Sequence, residues 1–490
     1  MTQNANNIND KDVYIFEHLQ NEVIFNLSGF ELDAYLLAYE GWRRGLRLKW
    51  YLAETNKCKL ARLGGTTLGR FFSLETKEKK HYFLRSRGDY VSNDAVKTVQ
   101  NKEATKNILK KSSIPVPIGK EFNVEEVEDI IKFANEIGYP VIMKPTSGSM
   151  GRGVTTNIMS EDELLEVIKY FKSKFSYKTC LIEKHYYGKE YRIYVVGENV
   201  VAATYRAPAN VIGDGQSTIK QLIKEKNKIR KLNPYLAAKP IQIDDDIKRN
   251  LQKLGMTEQS ILEKGKKVFL RTLSNLSAGG DPIDETDHLP NEVKQIAIDS
   301  LKVLPSIPHA GVDIIVNEDR PSESVLLEVN ATAEIAFHLF PITGKSRDVP
   351  KAIVDYYFPK TTKRKKSQFY FDYESLLEPL RTWSAAEISV MLAPRKKLNG
   401  MKYIIEGDFD RDSFKEWIKR LALRRKLHGY IKDLTDNKVE VFVVGTNPKR
   451  FETFLKVIEK GNKTTTINNI KYEAIKIKDT DYFQIGFQIK

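Results

Sequence analysis

Two cysteines, Cys58 and Cys180, in a chain of 490 residues are too few for a disulfide framework or a cysteine-built zinc site, and both are expected to be packed or spectator thiols. No run of about eighteen apolar residues occurs, so no membrane span or membrane partner is expected. Met1 to Asp12 is polar and Asn-rich, without the apolar core of a signal peptide, and a cytoplasmic location is expected. The nucleotide signatures that announce themselves most plainly are also missing. No Gly-Lys-Ser/Thr follows the glycines near residue 150, which excludes a Walker A loop, and the strand-to-helix dinucleotide fingerprint is absent.

What is there describes a folded protein with length enough for two or three cores: 41% hydrophobic and 10% aromatic residues. The net charge is +15, with much of the excess beyond Thr361. Its densest runs, Lys363-Arg364-Lys365-Lys366 and Arg424-Arg425-Lys426, read first as a linker or a solvated helix face. An acidic substrate or polymer is compatible with that charge, whereas nucleic acid is not the expected partner.

The most informative stretch is Tyr139 to Val154. An apolar β-leaning run, Val141-Ile142-Met143, ends in Lys144, and Ser147-Gly148-Ser149-Met150-Gly151-Arg152-Gly153 follows. Residues lacking Cβ let backbone N–H groups turn onto an anion, and the lysine adds a point charge beside them. Taken by itself the stretch reads first as an ordinary glycine-rich turn, with a phosphate site as the alternative.

Along the chain, Leu32, Tyr35, Leu36, Tyr39 and Trp42 recur at helical spacing, Leu46 to Leu52 follows as a strand, and His81 to Arg87 is another. Residues 1–100 are thus a small α/β domain. Lys102 opens a helix that must stop before Pro115 and Pro117. A helix near Val124 to Ile137 precedes the strand ending at Lys144. Ser160 and Glu163 have capping-box spacing before the apolar face Leu164, Leu165, Ile168 and Phe171. Leu181 to Lys184 is a strand. Tyr191 to Val196 and Val200 to Arg206 alternate about Gly197-Glu198-Asn199, which predicts a hairpin. Arg192 and Arg206 on it can aim guanidinium groups into a cleft or pair with surface carboxylates.

Gly311 to Ile315 and Leu326 to Asn330 are apolar strands that carry Asp313, Glu328 and Asn330. Acidic groups there are costly to desolvate without a cation or partner. If the strands pair, two carboxylates and an amide oxygen come together, a donor set suited to Mg²⁺. Salt bridges at a sheet edge are the alternative.

The order Lys102, Lys144, Glu183, Glu190, Asp313, Glu328, Asn330 resembles the ATP-grasp carboxylate–amine ligases. Within them the chain is most similar to the module of cyanophycin synthetase and that of the bifunctional bacterial glutathione enzyme. The stretches that carry the resemblance are Gly151-Arg-Gly-Val-Thr, Ala207 to Gly215, Leu270 to Gly280 and Glu328-Val-Asn330-Ala. The resemblance implies a two-lobed ATP-grasp domain over residues 101–360 behind a pre-ATP-grasp-like domain. It implies that Lys102 and Lys144 hold ATP phosphates and that Ser147, Gly148, Ser149, Met150, Gly151 and Gly153 close over them. Glu183, with Lys184 and His185, would meet the adenine, and Glu190 the ribose. Asp313, Glu328 and Asn330 would hold two Mg²⁺ ions, for which Mn²⁺ can substitute, with Glu328 bridging. Arg206 and Arg271 would stabilise the transferred phosphoryl group, and Asn275 would border the substrate. The implied reaction joins a carboxylate to an amine, each from a small molecule or peptide, and similar enzymes are homo-oligomers. Substrates are not implied, because the other modules of those two enzymes find no counterpart here. Specificity is expected in the N-terminal domain, in Tyr205 to Asn210 and in an insertion from Thr218 to Glu263.

After a basic linker at 361–384, residues 385–490 read as strand, helix, hairpin, helix, strand, which is a ferredoxin-like α+β domain. It resembles acylphosphatase. Where that family has glycines, an arginine and an asparagine to cradle phosphate, this chain has Arg411, Ser413, Lys415 and Asp433. The expectation is the fold without the hydrolase activity. Two other functional classes remain on the sequence: an acyl-phosphate hydrolase or editing protein working through this tail, and a non-catalytic polyanion-binding protein.

Overall fold

The computed structural model describes residues 13–14, 16–20, 22–24, 26–53, 60, 67–146, 153–462 and 464–490. The described residues divide into two compact units that interleave along the sequence: those within 1–15, 27–33 and 86–356 form one, and those within 16–26, 34–85 and 357–490 the other. Among the described residues no helix is long and apolar enough to cross a membrane.

The second unit takes the part of α1 (Gly29–Arg43) from Ala34 onward, within a stretch buried from Leu32, and a meander of β1 (Arg47–Tyr51), β2 (Phe71–Glu75) and β3 (Lys80–Leu84). Trp50 packs against Phe72 in a tilted pair, with ring centroids 4.9 Å apart, inside its core.

The first unit holds two antiparallel sheets. α2 (Lys102–Lys111) starts on Asn101, whose side chain accepts from Ala104 N at 3.0 Å. A four-stranded sheet follows from β4 (Gly119–Asn123), β5 (Val141–Pro145), β6 (Thr155–Ile158) and β7 (Thr179–Lys184), in the order β4-β7-β5-β6. Because side chains alternate, Val141, Met143, Cys180 and Ile182 face α3 (Val127–Ile137) and α4 (Glu161–Lys174), while Lys144 and Glu183 share the opposite face. Ser160 caps α4 by accepting from Glu163 N at 3.3 Å. Glu163 completes no box, since its carboxylate accepts from Met159 N instead. The predicted hairpin is β8 (Lys189–Val196) and β9 (Asn199–Ala207).

An insertion follows: β10 (Asn210–Ile212), α5 (Ile219–Leu232), α6 (Asp245–Lys253) and β11 (Lys267–Phe269), with its own core of Val211, Ile219, Ile223, Ile247, Leu251 and Val268. The capping box that sequence reading missed sits here, at Thr218 and Gln221. The chain then adds β12 (Asp281–Asp284), α7 (Asn291–Val303), β13 (His309–Val316) and β14 (Val325–Asn330), giving a five-stranded sheet in the order β12-β9-β8-β13-β14. One face, with Ile193, Ala203, Val312 and Ile314, packs on Val293, Ala297 and Leu301 of α7.

The second unit resumes with α8 (Tyr373–Arg381) and β15 (Glu387–Ser389), which pairs antiparallel to β1 with Ile388 opposite Trp50. The stretch 361–384, expected as a basic linker, is therefore folded structure, grouped with residues 34–85. Tyr35, Trp42 and Phe371 form an aromatic cluster, and Lys366 pairs with the buried Glu40 at 2.6 Å. A basic run gave no sign of that partner, which lies more than three hundred residues earlier. The ferredoxin-like order is as expected: β16 (Asn399–Phe409), α9 (Arg411–Arg424), β17 (His428–Thr435), β18 (Lys438–Gly445), α10 (Lys449–Lys460) and β19 (Thr465–Ile475). One strand beyond it, β20 (Phe487–Ile489), joins β17 in parallel.

The insertion hangs on the five-stranded sheet through one buried acid. Asp281 meets Lys226 at 2.5 Å, Arg230 at 2.8 Å and the Asn210 amide at 2.9 Å, and Arg230 is 1% exposed. Removing one member of a buried ion pair strands the other charges. Asp281→Ala is expected to lower unfolding stability by about 3–5 kcal/mol. Urea unfolding followed by protease nicking within 210–280 checks this, and nicking at the wild-type urea concentration would contradict it.

Candidate nucleotide and metal site

The four-stranded sheet contributes positive charge around one carboxylate. Glu183 on β7 lies opposite Ile142 of β5, and Lys144 is two residues farther along, so the two side chains are diagonal neighbours on one face. Glu183 is 1% exposed and pairs with both Lys144 and Lys106. Lys106 follows Lys102 by one turn on α2, which places both on one side of that helix. Burial, with Lys106 and Lys102 adding repulsion, pushes the Lys144 ammonium down to about 7. Burial and Lys102 push Lys106 down to about 8. One carboxylate among three lysines leaves a net positive pocket, and an anion entering it would restore the charged lysines.

The five-stranded sheet contributes a polar row running across every strand. Asp284 lies opposite Thr204, Thr204 opposite Arg192, Arg192 opposite Asp313, and Asp313 opposite Glu328. All face away from α7. Arg192 grips Asp313 in a bidentate pair, through Nε to Oδ1 and through Nη2 to Oδ2 at 2.9 Å. Arg206 reaches the same Oδ2 at 2.9 Å and also pairs with Glu190. Burial works against charge on Asp313, but Arg192 and Arg206 outweigh it and hold the carboxyl below its usual range. Glu190 is shifted upward, by burial first and by Asp313, against the pull of Arg206. Gly311 leaves the room this needs: a Cβ there would stand 2.6 Å from the Ala333 methyl and 2.8 Å from Arg192 Cδ. Beneath the row, His338 Nδ1 meets Thr204 Oγ1 at 2.7 Å, and burial beside Arg192 and Arg206 keeps its ring neutral.

The two faces act on one another. Glu328 and Glu190 are close enough to influence the charge on Lys144. Six expected site residues, Lys102, Lys144, Glu183, Glu190, Arg206 and Asp313, thus come together with Glu328. Asn330 is two residues from Glu328 on the same face, and its Oδ1 accepts from Thr332 N at 3.1 Å. Lys106 and Arg192 belong to the group although only the i,i+4 lysine spacing and the strand alternation hinted at them.

Other expected residues stand elsewhere or are used differently. The Lys184 ammonium binds the Gly138 and Tyr139 carbonyls at 2.8 and 3.2 Å, and His185 donates its backbone N–H to Pro140 O at 3.0 Å. These contacts fix the chain just past Glu183. Arg271 is drawn to the insertion, with Asp246 at 3.6 Å and Asp244 closer still, and is not part of the group around Asp313. Asn275 accepts from Ser277 N at 2.9 Å and shapes its own turn. Gly153 is described, with φ +76° just before β6. Ser147, Gly148, Ser149, Met150 and Gly151 lie outside the described residues, as does Cys58. Cys180 is buried, and burial pushes its thiol up to about 12.

The donor set fits Mg²⁺. Asp313 and Glu328 stand opposite one another on adjacent strands, and Arg192 serves both, bidentate on Asp313 and 4.0 Å from Glu328, which leaves Glu328 the more open of the two to a cation. No group of three or more His, Cys, Asp or Glu among the described residues stands ready as a complete cage. Mg²⁺ needs none, because it is held by one or two carboxylates together with phosphate and water.

Comparison with known proteins finds relatives for two parts of the chain. Residues 101–205 match the carbamoyl-phosphate synthase L chain ATP binding domain, and residues 401–485 match acylphosphatase. The chain is 35% identical over 266 residues to cyanophycin synthetase of Trichormus variabilis, covering 53% of this chain and 29% of that one. It is 32% identical over 352 residues to the glutathione biosynthesis bifunctional protein GshAB of Clostridium perfringens, covering 68% of this chain and 42% of that one. The crystal structure of a bifunctional glutathione synthetase from Pasteurella multocida shares the fold, with a TM-score of 0.51 and 24% identity over 68% of this chain and 44% of that one. The chain thus spans less than half the length of these relatives. It joins an ATP-grasp domain, homologous to those of cyanophycin synthetase and the bifunctional glutathione enzyme, to a C-terminal acylphosphatase-like domain.

Proposed function

We propose that this chain is an ATP-dependent ligase that joins a carboxylate to an amine through an acyl phosphate, releasing ADP and phosphate. The observation that carries the reading is the apposition of a lysine-rich face around Glu183 with an acidic face around Asp313 and Glu328. The first suits a polyphosphate and the second a hard cation. The ligase character of the relatives supports it.

A carboxylate is a poor acyl donor because its leaving group would be oxide. Its attack on the γ-phosphate of ATP gives an acyl phosphate, and the amine then displaces phosphate through a tetrahedral intermediate. Both steps spread negative charge that fixed cations can stabilise in a site without water. Lys102, Lys106 and Lys144 bind the phosphates, and Ser147 to Gly153 closes over them. The adenine lies between Glu183 and the backbone at Lys184 and His185, and the ribose meets Glu190. Arg206, already shared by Glu190 and Asp313, turns to the transferred group. Asp313, Glu328 and Asn330 would hold Mg²⁺, two ions in the fullest case, which supplies charge neutralisation on the phosphates. Arg271 and Asn275 shape the substrate wall.

Glu328→Gln is expected to lower ATP-dependent turnover by at least about a hundredfold, as loss of a metal-ligand charge does. ADP and phosphate release across amino acids and short acidic peptides tests this. Release that needs a carboxylate and an amine together, and fails in the variant, is the expected result. Equal release by the variant would contradict it.

The shifted lysines give a pH dependence with a definite sign. In the free protein Lys144 and Lys106 lose protons near pH 7 and 8, and bound phosphate raises both values. Nucleotide binding therefore takes up protons and weakens as pH rises from 6.5 to 8.5. Titration calorimetry at pH 8 in buffers of different ionisation enthalpy reads the uptake, and an enthalpy independent of buffer would contradict it.

For the tail, the residues in the cradle positions satisfy each other. Lys415 donates to Asp433 at 2.9 Å and lies 3.5 Å from Asp412. Acidic groups around Lys415, with Arg411 paired to Asp436, disfavour an anionic substrate. The full chain is expected to hydrolyse benzoyl phosphate no faster than buffer. Faster hydrolysis that disappears in Lys415→Ala would move the activity to this domain.

A further inference from the structure

The sheet of the C-terminal domain runs β19-β16-β18-β17-β20, so β19 and β20 are its two edges. β20 has 3 residues and β19 has 11. Every other edge strand among the described residues has 6 or fewer. An open edge presents a row of backbone N–H and C=O groups, and sheets ordinarily guard it by shortness, proline, bulges or charge. β19 contains neither proline nor glycine, and most of its side chains are exposed. Its guards are one bulge and one lysine. Asn468 is the bulged residue, since Ile467 lies opposite Gly407 of β16 and Asn469 lies opposite Glu406.

From Asn469 to Ile475 the pairing with β16 is regular, and Tyr472 is the midpoint of that stretch. Lys471 and Glu473 flank it. Glu473 pairs with Lys402 and is still 58% exposed, whereas Lys471 is exposed and has no acidic partner among the described residues. A two-fold axis at Tyr472 sets a second, antiparallel copy of this stretch against the first. Lys471 of each copy then lies opposite Glu473 of the other, and Ile470 lies opposite Ala474. Moving the axis by one residue puts Lys471 on Lys471 or Glu473 on Glu473, like charges that oppose pairing. The strand is thus complementary to itself in one register.

The helix-facing side fits the same register. Ile470, Tyr472 and Ala474 lie opposite Ile405, Tyr403 and Met401, so they share the face on which the domain core sits. Tyr472 is nevertheless 57% exposed, with its ring centroid 6.1 Å from that of the buried Tyr403. In the paired arrangement two Tyr472 rings meet at the axis and cover one another.

We propose that β19 is a homodimer interface, at which two copies of the chain join antiparallel along Asn469 to Ile475. The two five-stranded sheets then become one continuous sheet. The contact closes on itself, because a two-fold pair uses both long edges and leaves only the short β20 at each outer end.

Sedimentation equilibrium of the full chain at micromolar concentrations tests this with two charge variants. The wild type is expected to associate reversibly into dimers. Lys471→Glu brings only carboxylates to the axis and Glu473→Lys only ammonium groups, so each variant alone is expected to dimerise about tenfold more weakly or worse. Mixed one to one, the two variants are expected to recover dimers, since each then meets the opposite charge. Residues directly opposite in an antiparallel pair stand about 4.5–5.5 Å apart at Cα, within disulfide reach. Tyr472→Cys is therefore expected to give a reducible covalent dimer on mild oxidation, and Thr466→Cys to give none beyond the wild type. A wild type that stays monomeric, dimers that neither charge variant weakens, a mixture no tighter than its components, or equal cross-linking from both cysteine positions would overturn the proposal.

Discussion

The bidentate pair between Arg192 and Asp313 is the contact on which the rest of the site depends. A carboxylate 3% exposed within a sheet cannot keep its charge without a partner. Arg192 supplies that partner from the neighbouring strand, in direct register. The pair is possible because Gly311 has no side chain to block the arginine stem. It then sets the positions of its neighbours, since Arg206 reaches Glu190 and Asp313 together and Glu328 is held alongside. Among the described residues, loss of Arg192 would leave the buried Asp313 with Arg206 alone, and loss of Asp313 would leave Arg192 with only Glu328, 4.0 Å away.

Opposite this row is a face of the other sign. Lys106 and Lys144 share Glu183 with Lys102 close by, so the repulsion is only partly offset, and Lys106 and Lys144 hold their protons loosely. A site in that condition favours a polyanion, because binding relieves the repulsion as well as adding contacts. Each sheet achieves this with the same device, one apolar face packed on helices and one face left for chemistry. Alternation along the strands leaves one face of each sheet for chemistry, and Asp281 fastens the insertion to the five-stranded sheet.

Much of this was legible in the sequence, and the limits are physical. Lys144, Glu183, Asp313 and Glu328 stood out because charge in an apolar strand is costly and so is informative. The hairpin at residues 189–207 and the ferredoxin-like order followed from alternation and turn residues. Arg192 was visible as a strand arginine, but its choice of Asp313 depended on the register between β8 and β13, which no local pattern encodes. Lys106 was hidden because a lysine on a helix is ordinarily solvated. Arg271 and Asn275 were placed by resemblance, and the insertion's own acids and turn claimed their side chains. The stretch 361–384 misled for a related reason, since Glu40 and Trp42 await it from the opposite end of the chain.

The central claim is that one cleft holds nucleotide phosphate on its lysine face and a divalent cation on its acidic face. The most direct measurement is a crystal structure of the full chain with a non-hydrolysable ATP analogue and Mn²⁺, using anomalous scattering to locate the metal. The account predicts a manganese peak against Glu328 and Asp313, with the phosphates between it and Lys144. Nucleotide bound in the cleft with manganese absent from those carboxylates, or bound away from Lys144 altogether, would contradict it.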